Sequence, residues 1–123
     1  MDTHELAWAA GFFDGEGCTH VGITNKDRPK PTIRIVLAID QLGDFALIRF
    51  RKATNNRGNI ALVSTTGRRV YQYRVNTFWE VQMVMCVLWK YLSPPKKRQY
   101  KETVTKFLNS LAEQRDRAEA KVA

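Results

Sequence analysis

Carboxylates are scarce in this sequence. Twelve Asp and Glu stand against 20 Lys and Arg in 123 residues, a formal charge of +8. A small surface with that imbalance attracts polyanions, so nucleic acid leads as partner, ahead of an anionic membrane or the ribosome. Cysteine is scarcer still: Cys18 and Cys86 occur singly in apolar surroundings. That excludes a disulfide framework and a cysteine metal knuckle, and implies a reduced, intracellular setting. Long apolar runs are missing too. The longest, Val81 to Trp89, is broken by Gln82 and is short of the ~20 residues of a spanning helix, so no membrane partner is expected. Leu6 to Phe13 follows Asp2 and Glu5 rather than basic residues, unlike a signal peptide. His4, Cys18 and His20 have no zinc-ligand spacing.

What is present suffices for one core. Hydrophobic residues make up 44% and aromatics 11%, more than a disordered basic tail carries. The length fits one domain, residues 1–123, with the charged stretch 115–123 expected to fray.

Asp2 or Thr3 can cap a first helix over Leu6 to Phe13, with Glu5 completing a capping box and Gly15 and Gly17 ending it. Alternation of Val21 and Ile23 with His20, Gly22 and Thr24 predicts a strand over Cys18–Thr24. Beyond a turn at 25–31, Ile33, Ile35, Leu37 and Ile39 alternate with polar and small residues in a second strand. Phe45 onward suits an amphipathic helix ending near Asn55 to Gly58, and 59–66 with 69–75 read as a hairpin. Thr77 can cap a third helix, Phe78 to Leu92, stopped by Pro94 and Pro95. Trp79, Met83, Met85, Val87, Leu88 and Trp89 make it apolar all round, hence core. A fourth helix starts near Lys96. The fold class is α+β: two antiparallel hairpins with helices on one face.

Val21, Ile23, Ile33, Ile35, Leu37, Ile39, Ile60, Leu62, Tyr71 and Tyr73 form the core face of this sheet. Cys18, His20, Thr24, Thr32, Arg34, Asn59, Thr65, Gln72 and Arg74 then fall on the other face. That face is either merely solvated or a reading surface. Cations at the hairpin tips, Lys26, Arg28 and Lys30 in one and Arg68 and Arg69 in the other, favour a ribbon whose tips meet phosphates and whose body meets base edges. A nine-residue strand at about 3.3 Å per residue would span roughly nine base pairs of a major groove.

Ala7, Gly11 and Gly15 form a small-residue stripe that lets another backbone approach, or serves internal packing. Asp14 and Glu16 sit at the end of that helix, where the dipole disfavours negative charge. Asp14 could bond nearby amides with Glu16 simply exposed, or the pair could do chemistry. The segment Ala10-Gly11-Phe12-Phe13-Asp14-Gly15-Glu16-Gly17 resembles the LAGLIDADG motif of homing endonucleases, in its variant with Glu as second acid. Element order, length and basic ribbon are similar to the single-motif members, over about residues 4 to 110.

That resemblance implies a homodimer built on the first helix, with Ala7, Gly11, Asp14 and Gly15 at the contact and Asp14 in a capping role. It implies Glu16 as ligand of Mg²⁺, for which Mn²⁺ can substitute, and hydrolysis of both strands of double-stranded DNA at a long pseudo-palindrome, leaving 3′ overhangs. Gln41 matches the polar residue that orders water. Lys96 matches the lysine beside the scissile phosphate, with Lys97 the competing register. His20, Thr24, Lys26, Arg28, Lys30, Thr32, Arg34, Asn59, Thr65, Arg68, Arg69, Gln72, Arg74 and Lys97 are the implied DNA contacts. No small-molecule cofactor is implied. The expected location is a bacterial or phage-infected cytoplasm, or an organelle. Phe45 departs from the pattern by standing where several relatives carry a basic residue. This leaves a non-cutting DNA-binding regulator or an RNA-binding maturase of the same fold as the alternative, and a ribosome-associated α+β protein as a distant third.

Overall fold

The computed structural model describes residues 2–64 and 66–122. Its elements are α1 (Thr3–Glu16), β1 (Gly17–Thr24), β2 (Thr32–Gln41), α2 (Phe45–Ala53), β3 (Asn59–Ser64), β4 (Val70–Val75), α3 (Phe78–Leu88), a 3-10 turn over Trp89–Tyr91 and α4 (Pro94–Val122). The α+β class holds, with one antiparallel sheet in the order β1-β2-β4-β3. Thr65, expected on the reading face, lies outside the described residues.

The helices lie against one sheet face. Leu6, Ala9, Ala10 and Phe13 of α1 meet Ile35, Leu37 and Ile39 of β2, Leu47 and Phe50 of α2, Tyr73 of β4, Val81, Val84, Met85 and Leu88 of α3, and Phe107 of α4. Aromatic rings knit this layer: Phe50 meets Tyr73 edge-on with centroids 5.0 Å apart, and Phe78 stacks on Phe107 at 5.7 Å.

Several boundaries differ from the sequence reading. α1 runs about a turn further at each end, from Thr3 to Glu16, so Asp14 and Glu16 lie within its last turn. The Asp2 side chain does cap it, accepting from the His4 and Glu5 amides at 2.9 and 3.2 Å. The second half of the capping box is not made. Glu5 instead accepts two hydrogen bonds from Arg49 of α2 at 2.9 and 3.1 Å, and that guanidinium also lies over the Trp8 ring. α3 tightens into the 3-10 turn at Trp89, and α4 begins at Pro94, because proline is well suited to the first helical position. α4 also continues to Val122, through the turns expected to fray. Gln114 holds that stretch by donating to the Pro31 carbonyl at 2.6 Å.

The two sheet faces need correction at their ends. Leu62, assigned to the core, is 42% exposed on edge strand β3, beyond the reach of the helical layer. Ile23 is exposed near the first hairpin tip for a similar reason. Val36, on the opposite face, is fully buried at 0%, since it lies on the central strand β2, opposite His20 of β1. Trp79 is not core: it is 67% exposed in the first turn of α3, while Val81, Val84, Met85 and Leu88 fill the interior.

Candidate functional site

The chain passes from α1 into β1 without a loop. Gly17 permits this, because a Cβ there would come within 2.5 Å of the Phe13 ring. The Asp14 carboxylate turns toward α4, where the Ser93 amide donates to both its oxygens at 3.2 Å and the Ser93 hydroxyl donates to Oδ1 at 3.0 Å. Negative charge is unfavourable at the end of α1 and favourable at the start of α4, and the second placement compensates the first. The partner capped in this way is α4 of the same chain.

Docking α4 there brings Lys96 to the α1–β1 junction, where its ammonium donates to the Gly17 carbonyl and lies 5.5 Å from the Phe13 ring centroid. Lys97 points elsewhere, 5.3 Å from the Trp89 ring centroid. The geometry therefore sets the two competing lysines apart: Lys96 stands at the carbonyl of Gly17, the residue after Glu16, and Lys97 does not. Further along, Thr19 of β1 donates its amide to Gln99 Oε1 at 3.4 Å, and the Thr103 hydroxyl donates to the Thr19 carbonyl at 3.1 Å. Glu16 itself is exposed, with no ion pair among the described residues. Gln41 ends β2 two residues beyond Ile39, the partner of Gly17, so the register carries it to the same end of the sheet.

The open face of the sheet carries Cys18, His20 and Thr24 from β1, Thr32, Arg34 and Asp40 from β2, Gln72 and Arg74 from β4, and Asn59 from β3. Cys18 Sγ and His20 Nδ1 are 3.8 Å apart. Partial burial and the nearby Arg74 charge hold His20 below its ordinary pKa, so it meets neutral pH uncharged. Lys26, Arg28, Lys30, Arg68 and Arg69 are all exposed at the two tips. Ala7, Gly11 and Gly15 form a bare strip along α1, and a Cβ added at either glycine meets nothing within 4 Å.

A family model described as LAGLIDADG endonuclease matches residues 9–106, most of the chain. The chain belongs to the LAGLIDADG family. Solved structures of homing endonucleases share its fold. I-CvuI, in complex with the I-CreI target in 2 mM Mg with the DNA not cleaved, is 23% identical at a TM-score of 0.64, over 80% of this chain and 65% of that one. I-AabMI, bound to uncleaved DNA, is 25% identical at 0.63, over 94% of this chain and 40% of that one. I-CpaMI, also bound to uncleaved DNA, is 19% identical at 0.68, over 89% and 38%. This LAGLIDADG chain thus spans about two thirds or less of the length of these relatives. No curated protein sequence matches it.

The donor set of this LAGLIDADG chain suits a hard divalent cation. Among the described residues no three His, Cys, Asp or Glu side chains gather to form a metal cage. One exposed carboxylate, Glu16, fits an ion such as Mg²⁺, which takes one or two carboxylates and fills its shell with phosphate oxygens and water. The sequence reading overlooked Ser93, Gln99 and Thr103, which lock α4 to α1 and β1. Ser93-Pro94-Pro95 is a helix-start pattern, so Ser93 at least had a signal. No helix among the described residues is long and apolar enough to cross a membrane.

Proposed function

We propose that this LAGLIDADG chain is one subunit of a homodimeric, site-specific DNA endonuclease that makes a double-strand break with 3′ overhangs in a long pseudo-palindromic site. The observation that carries the reading is the junction of α1 and β1. An unpaired carboxylate, Glu16, and a lysine held at Gly17 stand together at one end of a sheet whose tips are basic. Two copies joined along the Ala7, Gly11 and Gly15 strip would set two such junctions side by side under one duplex, one for each strand.

In this reading Glu16 would hold Mg²⁺, with Mn²⁺ as substitute, and such an ion would supply a more acidic water and positive charge beside the phosphate. Lys96 brings a second positive charge to that phosphate from a fixed position, because α4 is anchored through Asp14 and Ser93. Gln41 orders water at the same end. Lys26, Arg28, Lys30, Arg68, Arg69 and Lys97 contact the sugar-phosphate backbone and set the register. His20, Thr24, Thr32, Arg34, Asn59, Gln72 and Arg74 face the bases in the major groove.

Incubating the folded dimer and Mg²⁺ with a randomised duplex library, then sequencing the ends, is the test. Paired ends at one family of sites are expected, and no double-strand cleavage at any sequence overturns the reading. Glu16→Gln should bind as before and lose cutting by at least a thousandfold. A variant that still cuts removes Glu16 from the role. Phe45 favours a second reading, a non-cutting DNA- or RNA-binding protein of this fold. It is 83% exposed at the start of α2, four residues past Gln41, where it can add no charge to catalysis.

A further inference from the structure

The four strands contain a single carboxylate, Asp40. It is exposed on the open face of β2 and makes no salt bridge among the described residues, although the chain carries eight excess cations. On a surface that meets phosphate an unpaired acid is unfavourable, unless something in the groove donates to it. Its orientation is fixed. Gln72, its partner across the β2–β4 ladder, donates from Nε2 to Asp40 Oδ1 at 2.9 Å. That leaves Asp40 Oδ2 and Gln72 Oε1 as neighbouring acceptors. One row along the same face, Arg74 pairs with Ala38, and its guanidinium carries only N–H donors. An acceptor row and a donor row therefore lie two residues apart, about 6.6 Å along the strand or roughly two base pairs.

Resting on the nuclease reading above, we propose that Asp40 is a specificity-determining residue that accepts from the amino group of a cytosine in the major groove. Gln72 is its positioning residue, and Arg74 takes a guanine about two base pairs away. Cytosine shows a donor and no acceptor on its major-groove edge, whereas adenine sets an N7 acceptor beside its amino group and repels a carboxylate. The amide of asparagine, with one donor and one acceptor, matches adenine.

Selection of bound duplexes from a randomised library, without divalent metal so that none is cut, tests this. The wild type should enrich C·G at one half-site position and G about two pairs away. Asp40→Asn should move that first position toward A·T or reduce its discrimination about tenfold to a hundredfold, leaving other positions alone. Gln72→Met should weaken the same position only, and Arg74→Ala the guanine. Asp40→Asn that folds and keeps the wild-type preference throughout overturns the proposal, as does a loss of affinity uniform over all sequences. If the wild type enriches no duplex, the nuclease reading fails first, a result distinct from both.

Discussion

The two hairpins of this sheet are built alike and supported differently. β1 and β2 are 8 and 10 residues long, and α4 runs behind them from Thr19, through Gln99 and Thr103, to the Pro31 carbonyl near the tip. β3 and β4 have 6 residues each and a register irregularity between Leu62 and Ser64, and α4 gives them no comparable backing. Besides the β2–β4 ladder and buried Val75, a single tyrosine fixes their base. Tyr73 is buried and donates to the Arg57 carbonyl at 2.7 Å, under Gly58, whose φ of +99° and contact with the Tyr73 ring exclude a side chain. A long lever can thus be held rigid by a helix laid along it, whereas a short one is pinned at its base.

The sharpest way to break the contrast is to loosen α4. Phe107→Ala removes a buried ring stacked on Phe78 and should cost about 3–5 kcal/mol in denaturant unfolding. Amide exchange should rise in β1 more than in β3; equal rises would mean that α4 does not favour one hairpin.

Raising the pH probes the other anchor. Burial pushes the Tyr73 hydroxyl up from 10.0 to about 12, with a smaller push from Glu80 and opposition from Thr54 and Arg51. The folded state keeps a proton that the unfolded state releases. This contribution is whole below pH 10.0 and is lost as pH climbs toward about 12. Roughly 2 kcal/mol should go over that window, and Tyr73→Phe should flatten the curve there. An unchanged alkaline profile would remove Tyr73 as the pin.

Gln114→Ala is the mildest test. It should cost about 1 kcal/mol or less and quicken exchange at 25–31 without touching 66–69. No change at the first tip would leave the last turns of α4 without a supporting role.

Much of this was legible because it follows from periodicity and caps. The alternation of Ile33, Ile35, Leu37 and Ile39 marked the central strand, and Thr77 marked the start of α3, which ends at Leu88, short of the Leu92 expected from the prolines. The motif from Ala10 to Gly17 led to the family that the match over 9–106 shows. Illegible were the features set by distant partners. Glu5 satisfies a local capping rule, yet Arg49, 44 residues away, takes its carboxylate. Leu62 alternates correctly, but its position on edge strand β3 puts it beyond the helices. Lys96 and Lys97 are neighbours with equal charge, and only the docking of α4 through Ser93 tells them apart. Asp40 is likewise set by a distant partner, Gln72 on β4, 32 residues away in sequence.

The link between Asp14 and Ser93 closes a loop of 79 residues, and Lys96 reaches Gly17 across the same span. Neither end of the proposed cutting site can form it alone. A chain stopped before Ser93 would carry α1 and all four strands but lack both the partner of Asp14 and the lysine that stands at Gly17.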